Sequence, residues 1–225
     1  MKISVIIPTL NESRTLEKVL QKIQEYAPYE ILVSDGGSAD NTLEIARRSG
    51  ARIISSPKGR ANQMNSAAEE ASGDVLLFLH ADTFLESEGY RKIAEVMRDS
   101  ALAGGAFSLQ LQSSKLSLRI ISRLATWRSR YLNLVYGDQT IFVRTEAFLK
   151  AGGYSPLPIC EDLDFFRKLG RCGKTVLLKE KSHTSPRRWI SEGVAYTTFR
   201  NIVIATLFLL GFPPEIMARW YHVIR

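Results

Sequence analysis

Residues 75–79 read Val-Leu-Leu-Phe-Leu, an uninterrupted apolar run between Asp74 and His80. A run of this length and composition predicts a buried β-strand. Further short, largely apolar runs occur at residues 3–7, 31–33 and 52–54, and a stretch with helical features follows each of them. Strands that are apolar throughout and alternate with amphipathic helices indicate a parallel sheet covered on both faces. The first eighty residues therefore predict a Rossmann-like α/β sandwich.

The second half of the chain has a less regular pattern. Residues 103–111 and 140–143 predict two more strands, and residues 116–134 and 161–169 predict helices. We interpret the arginine-rich helix at 116–134 as an amphipathic surface helix rather than a binding site. The pattern divides the chain into an α/β domain over residues 1–192 and a helical appendage over residues 193–225.

The appendage contains an apolar segment at residues 202–212, which is about half the length that a bilayer-spanning helix needs. It can pack on the core, form a homodimer, or lie in the membrane interface as a peripheral contact. Trp220, Tyr221, Arg219 and Arg225 are the candidate interfacial anchors. We place core packing slightly ahead of the other two.

The composition limits which classes of binding partner and which cellular compartment fit this chain. The 225 residues carry a formal charge of +7, but the basic residues are scattered, which argues against a nucleic-acid-binding arm. The two cysteines have neither the spacing of a metal site nor a disulfide framework. The apolar run at residues 3–7 is too short for a signal peptide. These features predict a cytoplasmic protein, with the inner face of the membrane as an alternative location.

Polar side chains follow three of the predicted strands. Asn11 and Glu12 come after the first, Asp35 comes after the second, and His80 and Asp82 come after the fourth. Ligands of open α/β sheets bind at the carboxyl ends of the strands, so we expect these residues to share one crevice. Each of them also has a local explanation, as a helix cap or a turn residue. Their joint placement favours a site.

The type of side chain suggests the chemistry of that site. A nucleoside diphosphate carries negative charge that must be neutralised before it can leave. A hard divalent cation, held by a carboxylate and by phosphate oxygens, does this. We therefore expect Asp82 to hold Mg²⁺ or Mn²⁺.

Six short motifs, in their order and rough spacing, resemble the family 2 glycosyltransferases over about the first 190 residues. They are Pro8-Thr9-Leu10-Asn11-Glu12, the stretch from Asp35 to Thr42, His80-Ala81-Asp82, Gly137-Asp138-Gln139, Glu161-Asp162, and Arg187-Arg188-Trp189. The resemblance implies an inverting enzyme of the hexosyltransferase type with the GT-A fold, a mixed, mostly parallel sheet with helices on both faces. The set also resembles a small bacterial branch, the arsenosugar-biosynthesis glycosyltransferases.

The resemblance implies a role for each matching position. Asp162 would be the general base, and Asp82 would hold the metal. The donor, a UDP- or GDP-linked sugar, would be contacted by Pro8, Thr9, Asn11, Glu12, Asp35, Arg60, Gln63, His80, Ala81, Asp82 and Arg188. The acceptor, which is unidentified and in related enzymes is sometimes lipid-linked, would be contacted by Asp138, Gln139, Glu161 and Trp189.

Two positions depart from the family pattern. His80 replaces the first carboxylate of the usual Asp-x-Asp motif, which puts the ribose contact or the choice of nucleotide in doubt. Ser185 replaces the glutamine of the Gln-x-x-Arg-Trp element, which favours an enzyme that adds a single sugar.

Some alternatives stay open at this point. Asp162 is also explained as a first-turn acid of a helix, Asp138 as a turn residue, and His183 as a surface histidine rather than a further metal ligand. A sugar-phosphate nucleotidyltransferase is a rival function, although residues 8–12 lack the glycine and the basic residue of its loop. An inactive nucleotide-sugar-binding protein is the other rival, because His80 breaks the metal motif.

Overall fold

One mixed β-sheet forms the centre of the molecule. The computed structural model describes residues 1–221. The strands are β1 (Ile3–Thr9), β2 (Glu30–Asp35), β3 (Arg52–Ser55), β4 (Val75–Phe78), β5 (Thr83–Leu85), β6 (Leu102–Leu111), β7 (Ile141–Arg144) and β8 (Lys174–Thr184). The helices are α1 (Leu16–Gln24), α2 (Thr42–Arg48), α3 (Arg60–Glu70), α4 (Ser87–Val96), α5 (Leu116–Leu132), α6 (Thr145–Ala151), α7 (Glu161–Cys172), α8 (Arg187–Glu192), α9 (Val194–Leu209) and α10 (Pro214–Ala218), with a 3₁₀ turn at Gly137–Gln139.

The strand order is β3-β2-β1-β4-β7-β6-β8-β5. The pairs β1–β2, β2–β3, β1–β4 and β6–β8 are parallel, whereas β4–β7, β6–β7 and β5–β8 are antiparallel. This is the mixed, mostly parallel sheet that the sequence predicts.

Helices cover both faces of the sheet, and the central strands explain why. Every residue of β1 and β4 is buried, and successive side chains point to opposite faces. Val5 and Leu77 pack with α1, α2 and α4 in one apolar cluster. Ile6 and Leu76 pack with α3, α6 and α7 in the other. Each such side chain contributes about 1.5–3 kcal/mol on burial, so the sandwich is stabilised from both sides.

The sequence pattern does not predict strand β8, nor does it predict β5, α4 and α6. Of the eleven residues of β8, Lys174, Lys179 and Lys181 are exposed, and its burial does not follow a clear alternation. Its backbone nevertheless pairs with β6 on one side and β5 on the other. The strand is therefore determined by distant partners rather than by its own periodicity.

The chain order creates a crevice between β1 and β4. The chain runs outward from β1 to β2 and β3, and then returns to β4 on the other side of β1. Loops that follow the two adjacent strands diverge at such a switch point, and ligands bind there. Residues 8–12 follow β1 and residues 79–82 follow β4 at this edge.

The C-terminal helices fold back over the loop before α7. Ile204 and Met217 pack against Ile159 in a small apolar cluster. Arg200, which is 4% exposed, makes hydrogen bonds of 2.8 and 2.5 Å to Glu192. Its guanidinium lies 4.9 Å from the ring of Tyr221. These contacts hold the chain from residue 193 onward against the α/β part, and the boundary at 192–193 stays a prediction.

The apolar segment at residues 202–212 has two different sides. Ile204 and Ala205 are buried, as core packing requires, while Ile202 and Leu210 are exposed. Within residues 1–221 no helix combines the length and the hydropathy needed to cross a membrane. Arg225, one of the expected interfacial anchors, lies outside the described residues.

Candidate functional site

A cavity of about 540 Å³ opens at the edge of the sheet where β1 and β4 end. The predicted site residues line it, apart from Asn11, Asp35 and Gln139. The side chains that carry the site chemistry are Thr9, Glu12, Arg60, Gln63, His80, Asp82, Asp138, Glu161, Asp162, Arg187, Arg188 and Trp189. Pro8, Ala81, Tyr136, Gly137, Asn201, Ile204 and Tyr221 complete much of the wall. Segments that are distant in sequence thus meet around one space.

Asn11 and Asp35 hold the loops that follow β1 and β2 beside the cavity. Asn11 has a φ of 57°, a left-handed conformation that asparagine tolerates, and its Oδ1 accepts a 2.8 Å bond from the Ala39 N–H. Oδ2 of Asp35 accepts bonds of 2.8 Å from the N–H groups of Gly37 and Ser38. Asn11 thus fastens the loop after β1 to the loop after β2, and Asp35 holds the turn of the second loop. Their direct contact with a donor stays a prediction.

Gln139 requires a correction. The sequence assigned it to acceptor binding, but its side chain is fully buried. Its Oε1 accepts a 2.6 Å bond from Ser129, and its Nε2 donates at 3.0 Å to the carbonyl of Phe107. A buried amide must satisfy both ends internally, and these bonds do so. Gln139 therefore anchors the 3₁₀ turn to α5 and β6 and does not reach the cavity.

Gln63 ties together the ends of two strands. Its Nε2 donates to the carbonyl of Thr9 at 2.6 Å and to the carbonyl of Ser34 at 2.9 Å. A Cβ on Gly36 would lie 3.1 Å from Cδ of Gln63. The amide thus packs directly on the glycine turn after β2 and fixes one side of the cavity floor.

Of the two carboxylate oxygens of Asp162, one accepts a hydrogen bond and the other has no partner among the described residues. It lies in the first turn of α7 and is 7% exposed. Its Oδ2 accepts a 3.0 Å bond from the Gly137 N–H. Its Oδ1 is buried and has no hydrogen-bond partner among the described residues. Burial raises the pKa of Asp162, and the charge of Arg60 opposes the rise. An unsatisfied carboxylate oxygen is costly and marks a place where a ligand group would fit.

Gly137 lets three parts of the site approach each other closely. A Cβ at this position would lie 2.5 Å from Oδ2 of Asp162 and 2.7 Å from Nε2 of His80. Both distances are shorter than real Cβ contacts, so any larger residue at position 137 would force Asp162 or His80 to move. Nε2 of His80 is also buried, and it has no hydrogen-bond partner within residues 1–221. Burial, with the charges of Arg60 and Arg187, lowers the pKa of His80 to about 3, which makes its imidazole neutral at pH 7.

Arg60 and Glu161 form an ion pair at the cavity wall. Nε of Arg60 lies 2.6 Å from Oε1 of Glu161, and the two side chains are 42% and 1% exposed. Burial raises the pKa of Glu161, Arg60 lowers it, and neighbouring Asp162 raises it further. One guanidinium therefore offsets two adjacent buried carboxylates.

Arg187 bridges the loops that follow β1 and β4. It donates to the two carboxylate oxygens of Glu12 at 3.0 and 2.8 Å, and its Nε lies 3.0 Å from Oδ2 of Asp82. Burial raises the pKa of Asp82, which Arg187 opposes and Glu12 reinforces. The adjacent guanidinium groups of Arg187 and Arg188 beside Trp189 suit bidentate contact with phosphate, and the structure places Arg187 in the cavity wall.

Arg188 and Trp189 face the cavity from α8. The Arg188 guanidinium lies 4.2 Å from the centre of the Tyr221 ring, and its NH1 is 4.0 Å from Glu192. Trp189 is 9% exposed, and its Nε1 is buried without a hydrogen-bond partner in the described chain. The indole thus offers an N–H donor to whatever enters this end of the cavity.

Asp138 lines the cavity, whereas His183 does not. Oδ1 of Asp138 is buried and unpartnered among the described residues, and burial raises its pKa to about 6. Nε2 of His183 lies 2.8 Å from Oε1 of Glu86, and its ring stacks on Phe84 with centroids 5.0 Å apart. The geometry therefore gives no support to His183 as a further metal ligand.

The side chains at the cavity suit a metal ion that is coordinated by phosphate oxygens as well as by the protein. Within residues 1–221 no three His, Cys, Asp or Glu side chains are grouped so that they hold an ion by themselves. Asp82 lines the cavity with its side chain 11% exposed. Mg²⁺ is commonly held by one or two carboxylates together with substrate phosphates, and a single aspartate at a cavity wall suits that arrangement.

Comparison with known families decides the class. The family model described as Glycosyl transferase family 2 matches residues 4–151, about two thirds of the chain. The chain belongs to glycosyl transferase family 2. The family resemblance of the sequence motifs, and with it an enzyme of the glycosyltransferase type, is confirmed. The match spans the loops that carry Glu12 and Asp82 but ends before Asp162 and Arg187.

Curated members of this family align with part of the chain. It is 34% identical over 110 residues to a dolichol-phosphate mannosyltransferase of Pyrococcus furiosus, a match that covers 45% of this chain and 31% of the relative. It is 38% identical over 101 residues to a PGL/p-HBAD biosynthesis glycosyltransferase of Mycobacterium bovis, which covers 40% of each protein. The chain thus aligns with well under half of the length of these relatives.

Solved structures share the fold of this family 2 member over most of its length. The mannosyltransferase PcManGT of Pyrobaculum calidifontis, in complex with GDP-Man and Mn²⁺, matches 88% of the chain and 59% of its own with a TM-score of 0.68 at 17% identity. TarS of S. aureus, in complex with UDP-GlcNAc, matches 82% of the chain and 58% of its own with a TM-score of 0.65 at 20% identity. The GT-A fold is confirmed.

Proposed function

We propose that this chain transfers a single sugar from a UDP- or GDP-linked donor to an acceptor hydroxyl, with inversion at the anomeric carbon and with Mg²⁺ or Mn²⁺ as the cofactor. One observation carries the proposal. Asp82, which suits a cation, and Asp162, which has a free oxygen, line the same cavity. That cavity also contains the three guanidinium groups of Arg60, Arg187 and Arg188.

The donor end lies in the crevice after β1 and β4. Pro8, Thr9 and Gln63 would border the nucleotide, and Asp82 with Arg187 and Arg188 would border the diphosphate. A divalent cation on Asp82, when bound, would neutralise the leaving diphosphate. The structural neighbours that hold GDP-Man or UDP together with Mn²⁺ support this assignment.

Asp162 would act as the general base. Its free Oδ1 would take the proton of the acceptor hydroxyl while that oxygen forms a bond to the anomeric carbon and the bond from that carbon to the diphosphate breaks. The Gly137 N–H on Oδ2 fixes the orientation of the carboxylate. Burial raises the pKa of Asp162, which makes it a stronger base than an exposed aspartate. Preorganised guanidinium groups would stabilise the charge of the departing diphosphate.

The acceptor end lies towards α8 and the C-terminal helices. Trp189 and Asp138 each hold a buried polar atom without a partner in the described chain, and such atoms would pair with the hydroxyl groups of an acceptor. Ile204 and Tyr221 add an apolar wall from the C-terminal segment. We propose that residues 1–192 carry the transfer chemistry and that residues 193–221 close the acceptor side.

The geometry of the cavity supports the two rival functions less well. A nucleotidyltransferase would need a basic, glycine-rich loop after β1, whereas this loop contributes the carboxylate of Glu12. An inactive binding protein would need the cavity but no general base, and the turnover assay below distinguishes it from an enzyme.

Turnover of nucleotide sugars tests the proposal. The wild type is incubated with UDP- and GDP-sugars and Mn²⁺, and release of the nucleoside diphosphate is followed with Asp162→Asn and Asp164→Asn in parallel. Asp164 is a matched control in the same helix, because it pairs with Lys168 at 2.9 Å and does not line the cavity. We expect loss of turnover in Asp162→Asn alone. Wild-type turnover in that variant would refute the assigned base, and the absence of turnover with every donor would refute the function.

A further inference from the structure

The outward side of helix α5 carries an apolar stripe that the described chain leaves uncovered. Five large side chains at one- or two-turn spacing form it, with exposures of 46–68%: Leu116, Ile120, Leu124, Trp127 and Tyr131. At 3.6 residues per turn they fall within about 80° of arc. The buried face of the same helix, which includes Leu118, packs on β6 and Trp189. Helix α5 is therefore apolar on two sides, and only one of them is used by the fold.

A basic stripe lies beside the apolar one. Arg119, Arg123 and Arg130 of α5 line a groove of about 420 Å³ together with Lys179 and Lys181 of β8. Within residues 1–221, no Asp or Glu lies within ion-pair distance of any of these five cations. The sequence from residue 100 to residue 137 contains no acidic residue at all.

The two adjacent stripes match the layered chemistry of an anionic bilayer. Unpaired arginines and lysines attract phosphate headgroups, while an exposed Leu, Ile and Trp stripe suits the boundary with the acyl chains. A second copy of this surface would bring five cations against five cations. A nucleic acid would leave the aliphatic side chains of the stripe exposed to water.

We propose that α5 docks this protein on an anionic phospholipid bilayer, with the basic stripe on the headgroup phosphates and the apolar stripe in the interface. Helix α9 contacts α5 and also exposes large apolar side chains, with Phe199 69% and Ile202 60% exposed. The same helix forms part of the cavity wall through Ile204. Docking therefore places the acceptor end of the cavity near the membrane surface.

Flotation of the full chain with vesicles tests the docking. Vesicles of phosphatidylcholine alone are compared with vesicles of phosphatidylcholine mixed with phosphatidylglycerol. We expect flotation with the mixed vesicles, little with phosphatidylcholine alone, and release at high salt. The double variant Arg119→Glu/Arg123→Glu and the double variant Leu116→Gln/Leu124→Gln should each lower vesicle binding about tenfold or more.

A matched control reverses charge on two helices other than α5. Lys18 and Arg47 are exposed residues of α1 and α2, so Lys18→Glu/Arg47→Glu changes the net charge as much as the first double variant does. We expect this control to bind like the wild type. Equal losses in both charge-reversal variants would show that net charge alone drives binding and would overturn the docking surface.

Tryptophan fluorescence tests the docking in a protein whose helix α5 is unmutated. The sequence has three tryptophans, of which Trp189 is buried and Trp127 and Trp220 are exposed. In Trp220→Phe, quenching by brominated lipid therefore reports on Trp127. We expect strong quenching in mixed vesicles. No quenching or no flotation would overturn the proposal, as would a dimer in light scattering that Leu116→Gln/Leu124→Gln converts to a monomer. Binding of inorganic phosphate without vesicle binding would also overturn it. These assays do not depend on sugar transfer.

Discussion

Nε of Arg187 lies 3.0 Å from Oδ2 of Asp82, so a positive charge of the protein already faces the carboxylate that we assign to the metal. The same guanidinium holds both oxygens of Glu12. Without it, two carboxylates at the ends of β1 and β4 would face each other with no counter-charge. A cation on Asp82 would therefore have to compete with this arginine, and a bound diphosphate would offer the guanidinium another partner.

Replacement of Arg187 should lower the stability of the metal-free protein and raise its affinity for the metal. Breaking a fully buried ion pair costs about 3–5 kcal/mol. Arg187 is 32% exposed, and solvent screening reduces the cost of Arg187→Ala to about 1–2 kcal/mol. We expect a lower melting temperature in the absence of metal and a larger rise on addition of Mn²⁺ than in the wild type. Arg188→Ala serves as the neighbouring control. Equal Mn²⁺-induced shifts in all three proteins would contradict competition at Asp82.

Alanine at position 137 should disable the site without unfolding the chain. The added methyl group would meet Asp162 at 2.5 Å and His80 at 2.7 Å, and it would push the carboxylate off its hydrogen bond. We expect turnover of the donor to fall about 100-fold or more while the circular dichroism spectrum stays unchanged.

Gly170→Ala is the matched control for that substitution. Gly170 lies within α7, and a Cβ there would meet only Nδ2 of Asn133, at 3.4 Å. Alanine is favoured over glycine in a helix by about 0.5–1 kcal/mol. This variant should keep full turnover with equal or higher stability. A Gly137→Ala protein as active as Gly170→Ala would show that the close approach at 137 is not required.

Asp162→Asn should be at least as stable as the wild type at neutral pH. Burial raises the pKa of Asp162 in the folded state, so this group contributes stability below its unfolded pKa and loses that contribution as the pH rises through its folded pKa. An asparagine avoids this loss, and its Oδ1 still accepts from the Gly137 N–H. We expect a gain of about 1 kcal/mol at pH 7, or about 2–4 °C, that shrinks towards pH 4. A melting temperature that drops at pH 7 would contradict the raised pKa.

The acid limb of the pH profile should respond to Arg60. The base has to be deprotonated, and Arg60 lowers the raised pKa values of Asp162 and Glu161. In Arg60→Gln we therefore expect the fall of kcat/KM on acidification to begin at a higher pH than in the wild type. Arg167→Gln, an exposed position on α7 that does not line the cavity, should leave the profile in place. A shift to lower pH in Arg60→Gln would exclude Asp162 and Glu161 as the titrating groups.

The first half of the fold follows from local patterns, because buried parallel strands and their covering helices have distinct periodicities. The rule for strand ends also places Glu12, His80 and Asp82 at one crevice before any coordinates are known. Motif order adds Asp162 and Trp189, which lie far away in sequence but line the same cavity.

The remaining features depend on long-range contacts that a single sequence does not record. The polar strand β8 is held by β6 and β5. Gln139 matches a site motif, yet its side-chain amide is hydrogen-bonded to Ser129 and to the carbonyl of Phe107. Arg187 enters the site because α8 returns to the crevice, and Tyr221 reaches it only because the C-terminal helices fold back.

Calorimetric titration of UDP and GDP with Mn²⁺ into three proteins tests most directly whether Asp82 holds a cation that bridges to the diphosphate. We expect the wild type and Asp162→Asn to bind one of the two nucleotides with similar affinity and only when Mn²⁺ is present. Asp82→Ala should bind it at least about tenfold more weakly, a difference of about 1.4 kcal/mol. Unchanged, Mn²⁺-dependent binding by Asp82→Ala would contradict the account.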